Sequence, residues 1–167
     1  QTVLEQYAST LVLTFKEDIK DGTFDGGNED SNRLFGASGV AISPDGSQLF
    51  VTSAIESAVT VFDRDEFGNI TFSQTIRDGS NVGPILGSEL LAGAFGIEVS
   101  PEGDQVFVTS VGDDGLTVFN RDGDGNLSEQ QRLRDGRRDP NENDINTLAG
   151  AIDVAVTADG SQVFVVS

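Results

Sequence analysis

The stretch from Asn120 to Leu127, NRDGDGNL, carries oxygen-bearing side chains at alternate positions: Asp122, Asp124 and Asn126. Calcium takes about six to eight oxygens, mostly from carboxylates and carbonyls, so this spacing offers three side-chain ligands to a Ca2+ ion. A sister stretch, DRDEFGNI from Asp63, offers two, Asp63 and Asp65. The distal bidentate Glu of an EF-hand loop is not in place, since Glu129 follows only three residues after Asn126. Asp, Gly and Asn are also the residues that tolerate hairpin-turn geometry, so a plain acidic turn competes with the metal site. A second set of carboxylates, Asp21, Asp78 and Asp135, each precedes a glycine. A recurring Asp of this kind either lines a channel and attracts cations or caps its own turn through backbone N–H groups. Arg132, Arg134, Arg137 and Arg138 hold half of the chain's arginines. They offer guanidinium groups to a carboxylate or phosphate ligand, or pair locally with Asp135, Asp139, Glu142 and Asp144.

Other chemistry is thinly supplied. The 167 residues contain no His, so the usual general base near neutral pH is missing, along with the commonest transition-metal ligand. No Cys is present, which removes disulfides, thiolate zinc sites and thiol catalysis. There is no G-x-S-x-G elbow, and a Ser-based triad lacks its imidazole. These features lean the reading away from an enzyme. The formal net charge is −18, with only two lysines, Lys16 and Lys20. Such a surface repels nucleic acid and anionic membranes and favours cations, salt-rich surroundings or a basic partner. No apolar run approaches the ~20 residues needed to cross a bilayer as a helix. The chain opens at Gln1 without a basic segment followed by an apolar one. The expectation is a signal peptide already removed, or an internal fragment.

The elements that position these residues repeat. GVAISPDGSQLFVTS from Gly39, GIEVSPEGDQVFVTS from Gly96 and DVAVTADGSQVFVVS from Asp153 recur at an interval of 57 residues. VTVFDRDEFGNI from Val59 matches LTVFNRDGDGNL from Leu116, and LAGA at Leu91 matches LAGA at Leu148. Each repeat reads as four short strands: 39–43, 47–53, 58–63 and 69–76 in the best-defined copy. Val, Ile, Phe and Thr alternate within them, and Pro, Asp, Gly and Asn punctuate them. No helical period appears. The fold class is therefore all-β: a β-propeller of four-stranded antiparallel blades, with about three repeats in this chain. The expected division is 1–37 as a half blade of third and fourth strands plus a loop, 38–94 and 95–151 as blades, and 152–167 as a half blade of first and second strands.

The combination GVAISPDG, LFVTS, VTVFDRD, NITF and LAGA resembles the YVTN-type, lactonase-like β-propeller repeats. That resemblance implies a closed ring of blades and, for some members, hydrolysis of sugar lactones. LFGASGVAIS at Leu34 and AFGIEVS at Ala94 also resemble the Phe-Gly blade start of integrin-like calcium propellers. There the acidic loop lies between the first two strands, a place taken here by SPDGS.

Three blades do not close a ring at normal blade packing. The partial ring is expected to be completed by the remaining blades of a longer chain, or by a second copy in a six-bladed homodimer. The functional expectation is a non-enzymatic propeller scaffold, extracellular, on the cell surface or salt-adapted, that binds a protein or ligand. The alternatives are a lactonase-like hydrolase whose catalytic residues lie partly on other blades, and a calcium-stabilised surface or adhesion module. No nucleic acid partner and no membrane insertion are expected.

Overall fold

The computed structural model describes residues 34–79 and 91–167. Within them the chain forms strands and turns only. β1 (Ala37–Ile42), β2 (Gln48–Ser53), β3 (Ala58–Arg64) and β4 (Ile70–Arg77) make one antiparallel sheet in sequential order. β5 (Ala94–Val99), β6 (Gln105–Ser110), β7 (Gly115–Arg121) and β8 (Leu127–Arg134) make a second of the same topology. A short ribbon, β9 (Arg137–Arg138) with β10 (Asp144–Ile145), interrupts the next connection. β11 (Asp153–Val156) and β12 (Val163–Val166) then pair as the start of a third sheet.

The turns follow from their residues. In SPDG the Gly46 N–H bonds the Ser43 carbonyl at 2.8 Å, and Asp45 Oδ1 accepts the Ser47 N–H at 3.0 Å. Pro44 sets the turn and Gly46, at φ 70°, takes the left-handed residue. Both full sheets carry a bulge at the same repeat position, between Val61 and Phe62 and between Val118 and Phe119. A bulge there adds local twist, which a blade needs. β1 begins two residues earlier than the alternation predicts. Ala37 pairs with Ser53 across an irregularity at Ser38, and the Ser38 hydroxyl instead reaches the next blade's Ala94 carbonyl at 2.8 Å.

Strand alternation sorts side chains between neighbouring blades. Phe50, Val59, Val61 and Ile76 leave the first blade on one face and meet Ile97, Val99, Val106, Val108 and Phe119 of the second. Phe107, Leu116 and Val118 leave the second blade in the same way and meet Val154 of the third, with Val156 and Val165 beside it. The core is thus a pair of blade-to-blade interfaces, not a single central cluster. Two faces stay open in the described chain. Val40 is 64% exposed, although its counterpart Ile97 is 6% exposed. Phe164 is 57% exposed, although its counterpart Phe107 is 6% exposed.

The inner strands β1, β5 and β11 run side by side, and glycine makes this possible. A Cβ on Gly39 would lie 2.5 Å from the Phe95 carbonyl oxygen, and one on Gly96 would lie 2.7 Å from the Asp153 Cα. No side chain fits at either place while the next inner strand stays where it is.

Candidate functional site

Each blade has two rims. The turns from first to second strand and from third to fourth strand share one rim. The turns from second to third strand and the long connections to the next blade share the other.

On the first rim the structure brings several predicted ligands together. A cleft of about 390 Å³ between the first two blades is lined by Asp45, Gln48, Asp63, Arg64, Arg121 and Asp124, among others. Its organiser is Arg121, at the end of β7. Arg121 Nε donates to Gln48 Oε1 at 2.6 Å, Nη1 to the Gly103 carbonyl at 3.1 Å and Nη2 to Ser47 Oγ at 3.1 Å. Gln48, buried, passes the link on: its Nε2 donates to Asp63 Oδ1 at 2.8 Å and to the Gly125 carbonyl at 3.2 Å. Asp45 lies 3.6 Å from the Arg121 Nη2. Its carboxyl is held well below the ordinary range, first by the Ser43 hydroxyl and then by the Ser47 N–H and hydroxyl, with the Arg121 charge a smaller contribution. The network joins two blades through one guanidinium fork, a geometry suited to Arg and not to Lys.

The carboxylates singled out as calcium ligands are engaged locally. Asp122 Oδ1 accepts the Asp124 N–H at 3.0 Å and the Asn126 N–H at 2.8 Å, and the Asn126 Nδ2 donates to Asp122 as well. These bonds lower the Asp122 carboxyl, the Asn126 backbone N–H first. Asp65 does the same with the Phe67 and Asn69 N–H groups, at 3.0 and 2.7 Å. Asn126 presents its NH2 group to Asp122, whereas a cation ligand would present its oxygen. Asp63 serves Gln48, and Asp124 lines the cleft. Among the described residues, no group of three or more His, Cys, Asp or Glu is placed to hold a metal ion.

A third copy of this turn lies where the sequence reading did not look for one. Asp139 accepts the Asn141 and Asn143 N–H groups at 2.9 and 2.8 Å at the tip of the β9–β10 ribbon. Glu142 stands there at φ 65°, in the position that Gly68 and Gly125 fill in the other two copies at φ 79° and 83°. The signal was in the sequence: Arg-Asp followed by Asn four residues after the Asp, at Arg64, Arg121 and Arg138.

On the second rim the recurring Asp residues span the long connections. Asp78 Oδ1 accepts the Leu91 N–H at 3.0 Å, and Asp135 Oδ1 accepts the Leu148 N–H at 2.9 Å. Asp21 lies outside the described residues. Asp113 and Asp114 add two more clamps, taking the Ala92 N–H at 2.8 Å and the Gly150 N–H at 2.7 Å. Burial pushes the Asp113 carboxyl upward, against its bond from Ala92. The arginine cluster is partly paired: Arg132 with Glu129, and Arg138 with Asp144 at 3.1 Å.

No protein-family model matches the chain, and no curated protein matches it by sequence. Solved structures do resemble it. A functionally unknown protein from Desulfotomaculum acetoxidans superposes with a TM-score of 0.60 at 19% identity, covering 80% of this chain and 35% of that one. A provisionally named 6-phosphogluconolactonase from Bacteroides fragilis gives 0.57 at 19% identity, covering 78% and 31%. The periplasmic gluconolactonase of Pseudomonas aeruginosa gives 0.56 at 20% identity, covering 75% and 31%. The chain spans about a third of the length of these structures. At such identities the likeness concerns the fold, and with the blade packing described above it gives this chain an all-β fold of propeller blades.

Proposed function

We propose that this chain belongs to a non-enzymatic β-propeller scaffold of the YVTN-repeat kind, extracellular, on the cell surface or in salt-rich surroundings, that binds a protein or ligand. One observation carries the reading. The recurring carboxylates hold turns and connections: Asp65, Asp122 and Asp139 on their turns, Asp78 and Asp135 across the long connections. An acidic repeat spent on backbone clamping builds a stiff frame for loops. The two open apolar faces are read as seats for the remaining blades of a longer chain, with a homodimeric ring as the other arrangement.

The likeness to a periplasmic gluconolactonase and to a provisionally named 6-phosphogluconolactonase supports a second reading, a lactone hydrolase whose reacting groups lie on other blades. Incubating the full-length protein with glucono-δ-lactone and its 6-phosphate separates the two. The scaffold reading expects hydrolysis at the buffer rate. Enzymatic turnover on the order of 1 s⁻¹ or faster would replace it with the hydrolase reading.

A further inference from the structure

The chain carries Asp followed by Gly at nine places and Asn followed by Gly at none. Asp–Gly is the dipeptide at which a protein main chain rearranges by itself. The glycine nitrogen attacks the aspartyl side-chain carboxyl, water leaves, and a cyclic imide forms. Water then reopens the imide at either carbonyl. One opening restores Asp, and the other gives isoaspartate, in which the main chain runs through the side-chain methylene. Glycine favours the attack because it has no Cβ to crowd the nitrogen. The carboxyl must be free to turn back on the main chain, and a carboxylate already bonded to neighbouring N–H or O–H groups is not.

Two of the nine, Asp21–Gly22 and Asp25–Gly26, lie outside the described residues. Hydrogen bonds divide the other seven. Asp45 accepts the Ser47 N–H at 3.0 Å and the Ser43 and Ser47 hydroxyls, and Asp159 accepts the Ser161 N–H at 3.1 Å and the Thr157 hydroxyl at 2.6 Å. Asp78, Asp114, Asp122 and Asp135 accept the backbone N–H groups described above. Asp124 is the exception. It is exposed, and among the described residues no hydrogen bond or ion pair reaches its carboxylate. Its counterpart in the first blade is Phe67, so the turn itself needs no carboxylate there. The attacking nitrogen makes no such division: Gly125 donates to the Asp122 carbonyl at 3.0 Å, much as Gly46 and Gly160 donate to Ser43 and Thr157 at 2.8 Å. The bonds that hold Asp45, Asp122 and Asp159 also lower their carboxyls, leaving less of the neutral acid that loses water.

We propose that Asp124 is a site of spontaneous isomerisation, where isoaspartate forms ahead of the other described Asp–Gly pairs and loosens the join between the first two blades. The second part follows from Gly125. Its carbonyl accepts Gln48 Nε2 at 3.2 Å across the blade boundary, and a Cβ placed on it would run into the Gln48 amide. Both blades at this join are complete four-stranded sheets. Isoaspartate at 124 inserts one methylene into the main chain just before Gly125 and draws it out of register with Gln48. The turn closed by Asp122 on the Asn126 N–H spans the same insertion. Water leaves and returns, so the change is an isomerisation that needs neither enzyme nor oxidant.

The test is ageing of the 167-residue chain for weeks at neutral pH and physiological temperature, followed by peptide mapping. Trypsin cuts after Arg121 and Arg132 and releases 122–132 as one peptide, in which electron-transfer fragmentation separates isoaspartate at 124 from isoaspartate at 122. Residue 124 is expected to lead the six bonded sites by about tenfold, and to lose that lead when the chain is aged unfolded in guanidinium chloride. D124E, whose longer side chain closes the imide ring poorly, should remove the signal at this position. D124N, an Asn–Gly pair that loses ammonia in place of water, should bring it forward. The isomerised fraction should melt about 2–4 °C below fresh protein. Isoaspartate spread evenly over the described pairs of the folded chain, its first appearance at a bonded Asp, its absence at 124 in the folded chain, or an equal lead in guanidinium would each overturn the assignment. An isomerised fraction with an unchanged melting temperature would overturn the link to the blade join.

Discussion

Arg64 and Arg121 occupy the same position in successive repeats, each in the sequence Phe-x-Arg-Asp, yet the structure gives them unequal work. The Arg121 side chain is 15% exposed and reaches three acceptors across or beside the blade boundary, at 2.6, 3.1 and 3.1 Å. Arg64 is exposed and donates Nη1 to its own blade's Gly46 carbonyl at 3.1 Å. Truncating Arg121 to Met keeps much of the stem and removes the fork. It leaves Gln48 Oε1, which is buried, without its donor. A hydrogen bond to a charged group contributes roughly 1.5–3 kcal/mol, and an exposed one falls to the lower end or below. The Asp45 contact is discounted because that side chain is 58% exposed. The expected loss is about 3 kcal/mol for R121M and about 0.5 kcal/mol for R64M. In a domain of this size 1 kcal/mol moves the midpoint by roughly 2–4 °C, so the melting temperature should fall about 6–12 °C for R121M and at most ~2 °C for R64M. Thermal melts of the 167-residue chain, followed by circular dichroism, read this directly. A cycle with Q48L should show coupling of more than about 1 kcal/mol, because Gln48 and Arg121 share one network. Equal losses for the two arginines, or additive behaviour with Q48L, would show that the cross-blade fork adds nothing to the apolar packing and the other hydrogen bonds between the blades.

Other perturbations have definite expected outcomes. Gly96→Ala places a methyl 2.7 Å from the Asp153 Cα and 2.8 Å from the Ile152 carbonyl oxygen, so it should lose about 3 kcal/mol in urea unfolding. Gly123→Ala meets nothing within 4 Å and should stay within about 0.5 kcal/mol of wild type. The Asp159 carboxyl is lowered from 3.8 to about 2 by the Thr157 hydroxyl first and the Ser161 groups next, and Asp45, Asp122 and Asp139 are lowered too. A depressed carboxyl stabilises the fold above its unfolded pKa and loses that contribution as pH falls through the folded value, so melting temperature should drop steadily from about pH 4 toward pH 2. Asp113, raised by burial, has the opposite sign: its contribution is complete at low pH and lost as pH rises through its elevated value, so D113N should not steepen acid unfolding. Calcium at millimolar concentration should move the melting temperature by less than about 1 °C, since Asp122 already accepts its turn's N–H groups. A rise of several degrees, lost in D124N, would instead assign Asp122, Asp124 and Asn126 to a bound ion.

The blade was legible because everything that defines it is local. Alternating Val and Phe, the SPDG turn and the 57-residue interval each act within a few residues or recur without a gap, and the strands fall where they point. Even the bulges at Val61/Phe62 and Val118/Phe119 obey the interval. The β9–β10 ribbon escaped because two residues per strand leave no alternation to read. Its turn chemistry, Asp139 to Asn143, was nonetheless a copy of the one at Asp122 to Asn126.

The candidate site was less legible, for a reason that belongs to repeat proteins in general. A repeat predicts which position a residue occupies in its blade; its partners come from the blade beside it. Asp122 read alone looks like a ligand, and in the structure it accepts its own turn's N–H groups. Arg121 read alone looks like surface charge, and it joins two blades through Gln48, Ser47 and Gly103. The informative comparison is therefore between copies of one position. Where copies share both residue and partner, as Asp78 and Asp135 do, the role is structural. Where the residue changes, from Gly39 and Gly96 to Asp153, the third inner strand carries a side chain at a position that the first two keep bare. The change is not a tolerated accident of an exposed site, because the same position is closed to any side chain in the other two blades and its ladder partner changes with it, from Thr to Val166. Two paired departures from the repeat, at Asp153 and Val166, are what set the third inner strand apart from the frame around it.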